Sequence, residues 1–339
     1  MKSAIELAES GLLPDFVIRA GIRRMLAGRL EEEAAAAAER ARWRESLALA
    51  PLTVHADAAN AQHYEVPAAL FERMLGPRLK YSSCLWPEGV DTLEAAELAM
   101  LALTAERAEI ADGQRILELG CGWGSLCLYL AERFPNARIT ALSNSASQRA
   151  FILGRAARLG LGNLEVVTAD IADFATTGRF DRVVSIEMFE HVRNHARLMR
   201  RIAGWLEPGG ALFVHVFAHR RFAYPFEDEG AATWMARHFF TGGLMPSVDL
   251  IPSAAGPLTH EETWLVDGRH YQRTLEAWLV NLDAARGAVL RILADLHGAE
   301  AARLQLQRWR IFLMACAELF GFRCGQEWLV AHYRFRAPG

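Results

Sequence analysis

Residues 115–125 read R-I-L-E-L-G-C-G-W-G-S, and the fold is decided there. A short apolar run carrying one acid ends in three alternating glycines, and L-C-L-Y-L-A-E-R (126–133) follows with the composition of a helix. Such a run is a buried strand, the glycines let the backbone turn tightly and approach a ligand, and the N-terminus of the next helix offers unpaired N–H groups. Outward from this unit, A-R-I-T-A-L-S (137–143), L-E-V-V-T-A-D (164–170), F-D-R-V-V-S-I-E (180–187) and A-L-F-V-H-V-F (211–217) read as further strands. The stretch H-A-R-L-M-R-R-I-A-G-W-L (195–206) reads as a helix between the last two. Alternation of this kind predicts an α/β, doubly wound, Rossmann-like parallel sheet.

The flanks differ in character. Residues 1 to about 48 are dense in strong helix formers, with Pro14 suited to a helix start, and a linker is expected around 50–62. Helix signals return in A-A-L-F-E-R-M-L-G (68–76) and after Thr92, a suitable N-cap. Beyond 219 an aromatic-rich insertion with two amphipathic helices, near 275–297 and 300–320, predicts a mostly helical cap, and E-W-L-V-A-H-Y-R-F-R (327–336) a final strand. The expected division is therefore an N-terminal helical extension and linker (1–62), a core (63–218), a cap (219–325) and a last core strand (326–339).

The chain has 339 residues, 52% hydrophobic and 23% charged, enough for a sizeable core. Its 37 basic and 40 acidic residues leave a formal charge of −3, which supplies no basic field for nucleic acid, so no nucleic-acid partner is expected. Glu6 and Glu9 interrupt any apolar leader, and no run of 18 apolar residues appears, so a soluble cytoplasmic protein is expected. Five cysteines without a C-x-x-C pair suggest neither a disulfide framework nor a zinc knuckle.

A lone G-x-G-x-G does not name its ligand. Glu118, two residues before the first glycine, would repel a pyrophosphate but can hold the ammonium of an amino-acid-bearing cofactor, which favours S-adenosylmethionine. Gly120, Gly122 and Gly124 would bring backbone to that ligand. Ser143, Asn144 and Gln148 after the second strand are the candidates for ribose hydroxyls, with Asp170 for the adenine amino group and Ile171 for its ring.

A second cluster lies in S-I-E-M-F-E-H-V (185–192), where Glu187, Glu190 and His191 fall within five positions. A charged helix start, a cation site and a proton-handling cluster are the three readings; no further clustered ligands appear, and no metal is expected.

Together with L-E-L-G-C-G-W-G-S, the stretches H-Y-E-V-P (63–67), L-K-Y-S-S-C-L-W (79–86), T-L-E-A-A-E (92–97), L-S-N-S-A-S-Q (142–148), E-M-F-E-H-V (187–192) and A-C-A-E-L-F (315–320) resemble the cyclopropane-fatty-acyl-phospholipid synthase family of S-adenosylmethionine-dependent methyltransferases. Within it S-I-E-M-F-E-H, F-F-T-G-G-L-M-P-S (239–247), W-L-V-D-G-R-H-Y (264–271) and G-Q-E-W-L-V-A-H-Y (325–333) are most similar to the coclaurine N-methyltransferase branch. The resemblance implies a class I methyltransferase fold, S-adenosylmethionine as cofactor, and methylation of a small aryl-alkyl or cyclic, tetrahydroisoquinoline-like amine. The alternative it leaves is methyl or methylene transfer to unsaturated phospholipid acyl chains. In synthases a cysteine stands where this chain has Ser83, Cys84 coming one place later, and a glycine where it has Glu187. Glu190 and His215 match residues that synthases use around bicarbonate and do not discriminate.

Amine methylation needs a neutral nitrogen, so a proton must be taken from an ammonium. His191 is expected as the base, Glu187 as the amine anchor four residues earlier on one helical face, and Glu190 as a positioning group. Trp328, His215, Phe217, Phe240 and Trp234 are the expected substrate contacts, with Phe239 and Trp264 completing an aromatic wall. Tyr81 and Ser82 are expected to approach the cofactor and Tyr64 to fold over it. Expected partners are a small amine and a second copy of the chain in a homodimer. Membrane contact is not expected: Lys2, Arg19, Arg23 and Arg24 are the basic residues a membrane reading would use, and the segment is also acidic.

Overall fold

The computed structural model describes residues 4–53, 67–226 and 233–339. Its strands are β1 (Arg115–Leu119), β2 (Arg138–Ser143), β3 (Leu164–Thr168), β4 (Phe180–Ile186), β5 (Leu206–His219), β6 (Tyr224–Pro225), β7 (Leu244–Met245), β8 (Thr259–Val266) and β9 (Trp328–Arg336). Seven form one sheet in the order β3-β2-β1-β4-β5-β9-β8, while β6 and β7 pair separately. Strands β1 to β5 run parallel, and the near-continuous apolar content of R-I-L-E-L and F-D-R-V-V-S-I reflects burial on both faces. One face packs Leu117, Val183, Leu212 and Val214 with Leu198 and Ile202 of the helix His195–Trp205. The other packs Ile116, Val184 and Phe213 with Leu101, Leu130 and Ile152 from the helices Leu93–Arg107, Ser125–Arg133 and Ala146–Leu159. Thr92 caps the first of these, its Oγ1 accepting from Ala95 N.

The sheet departs from an all-parallel one at its far edge. β9 runs antiparallel to both β5 and β8, and β8 was not legible as a strand. T-H-E-E-T-W-L-V is polar because it is an edge strand with most of its length exposed. Its Glu261 grips Arg334 at 2.8 Å and Arg336 at 2.7 Å on β9, which ties the edge down without apolar residues.

The long helices of the cap are Gly268–Ala284, Arg286–His297 and Ala299–Gly321, the first two separated at Ala285 where one helix was expected. Their core of Trp278, Leu306, Trp309 and Phe312 takes in Ile18 and Leu30 from the helix Asp15–Ala35. Arg19 pairs with Glu276 at 2.6 Å and Glu318 at 3.0 Å, and Arg23 with Glu318 at 2.9 Å. Those arginines clamp the N-terminal helix to the cap. Among the described residues no helix is long and apolar enough to cross a membrane.

Candidate active site

A cavity of about 270 Å³ opens where β1, β2 and β4 end at their carboxyl edges, the place open α/β sheets reserve for ligands. Its one end is backbone and short loops. Gly120 and Gly122 line it with φ of +79° and +50°, a region L side chains rarely adopt. Around them stand Glu118, Ser143, Asn144, Gln148, Asp170 and Ile171, with Tyr81 and Ser82 also on the wall. Burial pushes the Glu118 carboxyl up to about 7, and its Oε2 is buried without a hydrogen-bond partner among the described residues. The same is true of Gln148 Nε2, while Gln148 Oε1 accepts from Ser143 Oγ at 2.8 Å. Asp170 Oδ1 accepts from Ala172 N at 2.7 Å, so half of that carboxylate shapes its own turn.

The other end is built from side chains on distant segments. Glu187, at the close of β4, has φ +48°, a strained conformation for a residue with a Cβ. Its side chain lines the cavity with 9% exposure and is held from three sides. Oε1 accepts from Ser83 N at 3.0 Å and faces His215 Nε2 at 3.2 Å, and Oε2 accepts from Tyr271 OH at 2.7 Å. Burial raises the Glu187 carboxyl above the usual carboxylate range, with Lys80 and these donors pulling the other way. Lys80, itself buried and on the wall, donates from Nζ to Ser82 Oγ at 2.5 Å and Ser83 O at 2.8 Å, and burial lowers its ammonium. His191 lines the same end, its ring 4.8 Å from Phe240, and apolar side chains including Phe217, Met245, Trp278 and Phe320 complete it.

Several expected contacts lie elsewhere. Trp328 is fully buried away from the cavity, donating from Nε1 to Tyr224 OH at 3.0 Å and packing on His219 and Phe322. Trp234 donates to Glu9 at 2.9 Å, and its neighbour Met235 takes the place on the wall. Trp264, on β8, lies between the guanidinium groups of Arg107 and Arg334 at 4.9 and 5.5 Å. Phe239 stacks on Phe312 at 4.3 Å inside the cap. His215 is wholly buried behind Glu187 and reaches the cavity only through it. Gly124 caps the helix 125–133 at φ +85° and is not on the cavity wall, and a Cβ there would meet Ile152 at 2.7 Å. Glu190 is buried behind the wall, where its Oε1 accepts from Phe217 N at 2.8 Å. Burial, and then the charge of Glu187, raise the Glu190 carboxyl well above its ordinary value. Residues 187–191 do not form the expected α-helical face: the turn at Glu187 and a short 3-10 segment, Phe189–His191, bring both side chains to the wall. Tyr64, the expected linker from 54 onward and Lys2 lie outside the described residues. Sequence reasoning passed over Lys80 and Tyr271, although each stands in a stretch that carries the family resemblance, and it noted Ser83 only as a departure from the synthases.

Over residues 53–328 the chain matches the model of a family described as mycolic acid cyclopropane synthetase. It is 36% identical to (S)-coclaurine N-methyltransferase of Thalictrum flavum subsp. glaucum, over 97% of this chain and 93% of the relative. It is 30% identical to the cyclopropane-fatty-acyl-phospholipid synthase of Escherichia coli strain K12, over 80% of this chain and 67% of that one. Among solved structures, a coclaurine N-methyltransferase bound to N-methylheliamine and SAH superposes with a TM-score of 0.93 at 35% identity, over 97% of each chain.

Proposed function

We infer that this chain, which belongs to the mycolic acid cyclopropane synthetase family and is an S-adenosylmethionine-dependent methyltransferase, methylates the nitrogen of a small aryl-alkyl or cyclic amine of the tetrahydroisoquinoline kind. The observation that carries the reading is Glu187, a nearly buried carboxylate on the cavity wall that accepts from Ser83 and Tyr271 and faces His215. A carboxylate oriented before any ligand arrives is complementary to an ammonium and gains little from an uncharged acyl chain. The likeness to N-methyltransferases along nearly the whole chain supports the same choice.

The residues at the opposite end suit the cofactor. Glu118, with its unpartnered buried Oε2, is placed to receive the amino-acid ammonium, Gly120 and Gly122 to let the backbone approach, and Gln148 Nε2 with Ser143 and Asn144 to meet ribose hydroxyls. Asp170 and Ile171 serve the adenine, with Tyr81 and Ser82 on the same cavity wall. When bound, the cofactor supplies an electrophilic methyl group on a sulfonium. Glu187 holds the incoming ammonium, the imidazole of His191 takes its proton, and the apolar wall of Phe217, Phe240 and Trp278 keeps water from the freed lone pair. Glu190 acts at one remove, by fixing the backbone of Phe217.

Methyl transfer from labelled S-adenosylmethionine tests this, with cyclic and aryl-alkyl amines offered beside vesicles of unsaturated phospholipid. Label on an amine is the expected result. Label in lipid alone overturns the reading and assigns the cavity to acyl chains.

A further inference from the structure

Behind Glu187 runs a row of polar groups that neither the cofactor nor the amine would touch. On β5 and β9 the register sets His215 directly opposite His332, and on β4 it sets Ile186, the residue before Glu187, beside His215. His215 Nε2 lies 3.2 Å from Glu187 Oε1, His332 Nε2 lies 2.9 Å from His215 Nδ1, and Arg107 NH1 lies 2.8 Å from His332 Nδ1. Both imidazoles are fully buried, and Arg107 closes the row from the last residue of the helix Leu93–Arg107.

The donors in this row have only one consistent direction. A guanidinium has hydrogens and no acceptor, so His332 Nδ1 must carry a lone pair and its proton must sit on Nε2. That proton points at His215 Nδ1, which must in turn be bare, and the His215 proton therefore sits on Nε2 and points at Glu187 Oε1. We propose that Arg107 and His332 are positioning residues for methyl transfer: they lock His215 as a neutral Nε2–H donor and so fix the carboxylate that meets the amine. His215 is then excluded as a base, because its one free lone pair is already taken. The proposal rests on Glu187 meeting the amine.

Substitutions separate this from simple packing. Glutamine at 332 retains an acceptor for Arg107 and a donor for His215, and lysine at 107 retains a donor, whereas leucine at either position breaks the direction. His332→Leu and Arg107→Leu are expected to lower kcat for the amine roughly tenfold or more with SAH affinity unchanged, while His332→Gln and Arg107→Lys stay close to wild type. Leucine variants that keep wild-type kcat, or glutamine and leucine variants that lose activity alike, overturn the proposal. So that it does not depend on a variant folding, long-range ¹H–¹⁵N correlations on [¹⁵N]histidine-labelled wild type read the tautomers without substrate. Bare Nδ1 on both rings is expected at neutral pH, and a protonated Nδ1 on either contradicts the chain. If the tautomers are as expected but no amine is methylated, it is the amine reading that fails.

Discussion

The two ends of one cavity are made by different means. The centre of the cofactor end is local: glycines at positive φ between β1 and its helix, and a Ser143–Gln148 contact spanning five residues. The amine end is assembled across the chain, with Ser83 and Glu187 separated by 104 residues, Glu187 and Tyr271 by 84, His215 and His332 by 117, and Arg107 and His332 by 225. A turn with its own backbone preferences forms its geometry wherever the strand and helix beside it form. The amine end has no geometry until β4, β5 and β9 are in register and the cap is docked. Damage to the second end should therefore spare the first.

The largest expected separation is His191→Ala. If His191 is the proton acceptor proposed above, its loss should lower kcat for the amine by roughly 10²- to 10⁴-fold while the affinity for SAH stays within a small factor, measured by single-turnover methylation and calorimetry on the same preparation. A parallel loss of cofactor affinity would join the two ends and break the comparison.

This asymmetry also explains what was legible in the sequence. Six of the seven strands of the sheet, the cap and the wall positions Glu118, Ser143, Gln148 and Asp170 follow from periodicity and from loops next to strand ends, where position in sequence nearly determines position in space. β8 escaped because an edge strand held by Glu261, Arg334 and Arg336 has no apolar signature. Phe217 and Phe240 are on the cavity wall, but Trp328 and Trp264 are not, for a related reason: both have the composition of a pocket lining, yet strand register turns one into the core and the other against two arginines. Glu187 and His191 were found, but their helical face was not, since a non-glycine residue at φ +48° has no sequence signal. His332 and Tyr271 stood in stretches that carry the resemblance and had no local chemistry to single them out.

At the cofactor end, the burial that raises Glu118 to about 7 has a consequence with a definite sign. Only the ionised carboxylate attracts the cofactor's ammonium, so SAH affinity should weaken as pH falls below about 7, approaching tenfold per unit, and be flat above it. Glu118→Gln should bind weakly with that pH dependence gone, as titration calorimetry between pH 6 and 8.5 would show. A smaller effect is expected at Gly122, where an added Cβ meets no atom within 4 Å and the cost is backbone strain beside the ligand. Gly122→Ala should weaken SAH binding by about 1 kcal/mol with little change in melting temperature. The smallest effect on the ligands is that of Trp328→Phe: loss of its bond to Tyr224 should cost stability of about 1–3 kcal/mol in denaturant melts and leave the KM for the amine unmoved. A shifted KM would bring Trp328 back into the amine end.

The central claim is that Glu187, held in place by its own protein donors, is the group that meets the substrate's positive charge. The direct test is calorimetric affinity of 1,2,3,4-tetrahydroisoquinoline, an ammonium at neutral pH, for the SAH-loaded protein, wild type against Glu187→Gln. The account predicts binding to wild type and a loss of roughly tenfold or more in the variant, with SAH affinity equal in both. Equal affinity of the two proteins for the amine would contradict it.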